Sequence, residues 1–157
     1  MHSFIAGIIS LILGWALGGW AQSMKQRLDY FVARLEEMVT EINSLRSLTQ
    51  DYWINDRSPE NNPSEHQKLE AEIIGRFLWL NIVFSGLKNT LPPHTAQKIQ
   101  GSINLFFENS TGGDFGDIPG KKDSRRVQAA YRISAILSRD IRRAIVERLK
   151  YPFSAVK

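Results

Sequence analysis

Two stretches of this chain hold residues that could do chemistry: the glycine- and acid-rich run Asn109 to Asp123 (NSTGGDFGDIPGKKD) and the arginine-rich run Ser124 to Lys150. In the first, Thr111, Gly112, Gly113, Asp114, Phe115 and Asp117 form a candidate partner or ligand loop. Consecutive glycines can turn backbone N–H groups toward an anion. A nucleotide cradle, however, needs a lysine followed by Ser or Thr at the opening of a helix, and here Lys121 and Lys122 come late, after Pro119-Gly120. Asp114-Phe115-Gly116 spells the metal-binding triplet of protein kinases, but a chain of 157 residues has no room for the rest of that fold. Asp114 and Asp117 offer two hard oxygen ligands without the spacing of a calcium loop. The plainer expectation is a compact loop with Phe115 tucked into the core. Long loops in small domains often carry function, which makes this the first place to look for a ligand or partner site.

The second stretch presents Arg125, Arg126, Arg132, Arg139, Arg142 and Arg143 as candidate contacts to an anionic surface. Guanidinium groups bind phosphate oxygens bidentately, whether those belong to lipid or to nucleic acid. Residues 1–120 carry 9 Lys or Arg against 13 Asp or Glu, whereas residues 121–157 carry 11 against 3, so the C-terminal quarter is a separate electrostatic object. Its arginines have three destinations: solvent or acidic groups of the protein itself, anionic lipid, and nucleic acid. Nucleic acid ranks third because aromatic residues are sparse here, with Tyr131 alone before Tyr151 and Phe153.

Nothing else supports catalysis. Cysteine is absent, which removes disulfides, thiolate metal sites and cysteine nucleophiles. His2, His66 and His94 lie far apart without ligand spacing, and His66 and His94, beside caps or prolines, are expected at the surface. No catalytic residue, metal site or cofactor is expected.

The elements that position these stretches read as helices throughout. Between His2 and Met24 there is no charged residue, and Phe4 to Ala21 is almost wholly apolar. A helix over that run is about 27 Å long, close to the roughly 30 Å hydrocarbon core of a bilayer. This predicts a transmembrane anchor over residues 1–23. A cleaved secretory signal, with Gly19 and Ala21 as its small residues, is the alternative, but the run lacks a basic n-region and is long for a signal core. Lys25 and Arg27 follow at once, placing the N-terminus outside and the body in the cytoplasm of a bacterial inner membrane. Ala6, Ser10, Gly14 and Gly18 recur every four residues along one face, a small-residue pattern that permits close helix approach.

From residue 24 to 54 the pattern becomes heptad. Leu28, Phe31, Leu35, Met38, Ile42, Leu45, Thr49 and Tyr52 alternate spacings of three and four, and no proline falls between Phe4 and Tyr52. This predicts one long helix leaving the membrane as an amphipathic stalk, with Leu28 to Leu45 of that stripe joining the small-residue face in self-association as a coiled coil. Val32, Val39 and Leu48 widen the stripe toward bundle packing, and Glu36, Glu37 and Glu41 lie on its solvent side. Residues 55–157 form the body. Asn55 to Pro63 breaks the stalk, Ser64 to Gln67 fits a capping box, a second helix runs to about Leu91 and a third from about Thr95 to Glu108. A basic last helix spans 124–150, with Val127, Tyr131, Ser134, Leu137, Ile141, Ile145 and Leu149 on its apolar face.

The expected fold class is therefore all-α: a single transmembrane helix continuous with a stalk, then a cytoplasmic bundle of about four helices. The expected function is non-enzymatic, a single-pass membrane protein whose bundle is a protein-binding, regulatory or scaffold module, self-associating through anchor and stalk. Its expected partners are membrane lipid, further copies of itself and a cytoplasmic protein. A toxin-like or phage-defence membrane effector that perturbs the bilayer on assembly is the alternative, and a membrane-tethered nucleic-acid-binding module is the third reading.

Overall fold

The computed structural model describes residues 2–54, 63–112, 115–116 and 123–150; within these, the side chains of residues 2–13, Ala16 and Pro63 are outside the description. The described residues form four α-helices and no strand: α1 (His2–Ile54), α2 (Pro63–Leu87), α3 (Pro93–Thr111) and α4 (Ser124–Lys150), with a 3-10 turn (Lys88–Thr90) between α2 and α3. The chain is all-α.

It divides into two compact units, residues 1–33 and 34–157. In the first unit, the described side chains of Trp15, Leu17 and Trp20 are 83, 63 and 56 % exposed. A Cβ placed on Gly14, Gly18 or Gly19 would meet nothing within 4 Å. Among the described residues, no helix is long and apolar enough to cross a membrane. Most of the apolar run Phe4 to Ala21, with Ala6 and Ser10, falls on side chains outside the description.

The second unit is the helical body. Its core is filled by Leu35, Met38, Ile42 and Leu45 from α1, Ile73, Phe77, Leu80 and Phe84 from α2, Ile99, Ile103 and Phe106 from α3, and Leu137 from α4. Phe77 meets Phe106 edge-on at 5.0 Å, the favoured geometry for buried rings. Of the stalk stripe expected to serve self-association, Leu35, Met38, Ile42 and Leu45 are fully buried within the chain's own body. The reason is the stripe's width, since Val39 and Trp53 are buried as well and the helix presents more apolar surface than a two-stranded seam covers.

The helix ends follow local chemistry. α2 begins at Pro63, so Ser64 lies inside the helix rather than capping it. α3 likewise starts at Pro93, with Pro92 before it. Proline suits a first helical turn because its φ is already helical and no N–H needs a partner there. At the start of α4, Asp123 Oδ1 accepts from the backbone N–H groups of Arg125 and Arg126 at 3.0 and 3.2 Å, a side-chain cap.

On α4 the buried face differs from the expected one. Val127, Ser134, Leu137, Ile141 and Ile145 are buried, but Tyr131 and Leu149 are 38 and 50 % exposed, and Ala130, Asp140 and Ala144 take places inside. Small side chains at 130 and 144 fit a close helix contact that a phenol ring would not.

Candidate functional site

The first candidate is the loop after α3. Thr111 closes that helix, its hydroxyl donating to Phe107 O at 2.8 Å. Gly112 caps it, and a Cβ there would sit 2.4 Å from Glu108 O, so the position needs glycine. Gly113, Asp114 and Asp117 lie outside the described residues. Phe115 packs at 4.6 Å on the Tyr52 ring, and Gly116, at φ 82, donates its N–H to Tyr52 Oη at 3.1 Å. Among the described residues, no group of His, Cys, Asp or Glu could hold a metal ion.

Around this loop stands a polar-aromatic cluster that joins α1, α2, α3 and the start of α4. Tyr52 donates to Glu70 Oε1 at 3.0 Å and stacks on His66 at 4.8 Å, while His66 Nε2 lies 3.3 Å from the same carboxylate oxygen. Trp53 donates its indole N–H to Ser110 O at 2.8 Å, and its own carbonyl accepts from Asp123 N at 3.1 Å. Arg126 lies 5.2 Å over the Trp53 ring and is paired with Asp123 at 3.3 Å. His66 is thus not at the surface: it is 4 % exposed, its flat face covered by Tyr52. Its neighbours Pro63 and Ser64 suggested a helix start, correctly, but nothing local showed which side of that start faces the core.

Replacing Trp53 with Phe is expected to keep the packing and strand the buried Ser110 carbonyl, at a cost of about 1–3 kcal/mol. A urea midpoint that falls with unchanged slope would show it.

The second candidate, the arginines, separates into distinct roles. Arg126 is consumed at the cap of α4, and Arg143 pairs with Glu147 at 3.0 Å. Arg125 and Arg132 are exposed. Arg139 and Arg142 flank a groove between α4 and α1. On the acidic face of α1, Glu37 pairs with Arg34 at 2.6 Å and Glu41 with Arg76 at 2.9 Å, not with arginines of α4. The hydrogen bonds to Glu41 and then Glu72 raise the Arg76 guanidinium above its ordinary pKa, so this tie between α1 and α2 is insensitive to pH on the arginine side.

Sequence reasoning also missed Asp140. It is buried, with Oδ1 accepting from Lys98 Nζ at 3.0 Å and Oδ2 lacking a hydrogen-bond partner among the described residues, and it lines a small cleft with His94, Thr95 and Lys98. An aspartate at an apolar-face position of a basic helix was the available signal.

The chain matches no protein-family model, no curated protein and no solved structure.

Proposed function

We propose that the chain is a non-enzymatic, single-pass membrane protein, anchored by residues 1–23 in a bacterial inner membrane, whose cytoplasmic helical body serves as a regulatory or scaffold module. The observation that supports this most is the exposure of Trp15, Leu17 and Trp20 within a run free of charge from His2 to Met24. Large apolar side chains set bare along a helix are stable in lipid or against another apolar helix. Indole rings toward the Lys25 and Arg27 end suit the membrane boundary, and the positive charge there favours the cytoplasmic side.

Self-association belongs to the anchor in this reading. The open space beside Gly14 and Gly18 lets a second helix approach along that face. Copies tethered in one plane are at high effective concentration, so a modest contact suffices. The test has two parts. Reporter fusions at each end should place Lys157 in the cytoplasm, and periplasmic activity at that end would overturn the topology. Gly14→Ile with Gly18→Ile should lower the signal of a membrane dimerisation reporter, whereas an unchanged signal would remove the glycine face from the assembly.

A further inference from the structure

Arg139 and Arg142, one turn apart on α4, flank a groove of about 330 Å³ whose opposite wall is α1, contributed by Asn43 and Arg46; Ala135 and Ser138 complete it. Among the described residues, no carboxylate lines this groove. Asp140, next in sequence to Arg139, binds Lys98 at 3.0 Å and lies 3.8 Å from Arg139 Nε, at the outer limit of an ion pair. Three arginines thus line one groove with a single, distant acid beside them, a positive lining that favours an anion.

Arg46 is held in place before any ligand arrives. Its guanidinium carbon lies 4.8 Å from the centre of the Tyr131 ring, and the Tyr131 hydroxyl is hydrogen-bonded to the Gln50 side chain. Its Nε–H is buried and has no acceptor among the described residues, although buried donors are almost always paired. This also accounts for the exposed position of Tyr131, which orients an arginine of α1 instead of filling the core. Guanidinium forks match phosphate oxygens bidentately, while the Asn43 amide and Ser138 hydroxyl add neutral donors beside them.

We propose that the groove between α1 and α4, built by Arg46, Arg139 and Arg142 with Asn43 and Ser138, binds a phosphate group, carried either by a free phosphate compound or by an anionic lipid headgroup. The site lies wholly within the body and stands whether or not residues 1–23 cross a membrane.

The test uses the full chain in nonionic detergent, titrated calorimetrically with inorganic phosphate in one arm and with micelles containing phosphatidylglycerol in the other. Saturable binding is expected, weakened about tenfold by Arg46→Gln and by Arg142→Gln. Arg46→Lys, which keeps the charge over Tyr131 but loses the fork, should fall between. Lys150→Gln removes the same charge from α4 outside the groove and should leave affinity unchanged. Binding of inorganic phosphate supports a free phosphate ligand; binding only with phosphatidylglycerol, lost in the same variants, supports a headgroup. No binding in either arm overturns the proposal, as does equal weakening by Lys150→Gln, which would reduce the effect to diffuse charge. Salt-steep binding of a single-stranded oligonucleotide that phosphate does not compete for would also overturn it, in favour of nucleic acid.

Discussion

Phe106→Ala is expected to destabilise the helical body by about 3–5 kcal/mol, a large share of the roughly 5–15 kcal/mol that holds a domain of this size together. The ring is fully buried and meets Phe77 edge-on at 5.0 Å, in the same core as Phe84, Ile99 and Ile103. Truncation removes the transfer energy of the ring, leaves a cavity that two neighbouring helices cannot close, and forfeits the ring-pair term. Phe107 is the internal comparison. It also contacts Phe77, at 5.2 Å, but is 40 % exposed, so Phe107→Ala should cost much less, about 1 kcal/mol. Equilibrium unfolding in detergent, followed through the buried Trp53 indole, measures both. Equal losses at the two positions would show that α3 does not present Phe106 to the core.

Gly14→Arg carries the second large expectation. Position 14 lies near the middle of the apolar run, where an arginine costs about 2.5–3.5 kcal/mol on insertion scales. That corresponds to a loss of about two orders of magnitude in partitioning. On the proposed anchoring, the parent chain is expected to stay in the membrane fraction on alkaline extraction and the variant to leave it. Gln22→Arg, beyond the apolar run, should remain with the membrane because the new charge joins Lys25 and Arg27 at the boundary. Retention of Gly14→Arg in the pellet would overturn the anchor. The change also meets no steric obstacle in the chain itself, since nothing lies within 4 Å of a Cβ at that position.

These two expectations concern different units of the chain, residues 1–33 and 34–157, and they fail independently. Loss of core stability in Phe106→Ala with normal membrane retention is the expected pairing, and the converse is expected for Gly14→Arg.

Much of the helical architecture was written in the spacing of apolar residues. Leu35, Met38, Ile42, Leu45, Thr49 and Tyr52 fall on one face of any α-helix because the repeat is set by the backbone, and all six are buried. Prolines 63 and 93 mark where α2 and α3 begin because a helix cannot accept them further in. The charge division was legible too, since it needs only counting. What surrounds a side chain was not. The width of the stripe on α1 favoured bundle packing, but which side chains of the other three helices meet it was not legible. Tyr131 shares a heptad register with Val127 and Ser134, yet it turns outward to Arg46 and Gln50. His66 is buried because Tyr52 covers it, and Trp53 is fixed by a carbonyl 57 residues away. The Arg46, Arg139 and Arg142 groove follows the same rule: sequence alone determined that α4 would be basic, because charge is a property of each residue. Only tertiary structure decided which of its arginines meet acids and which converge, because pairing depends on distances between segments that local periodicity does not encode.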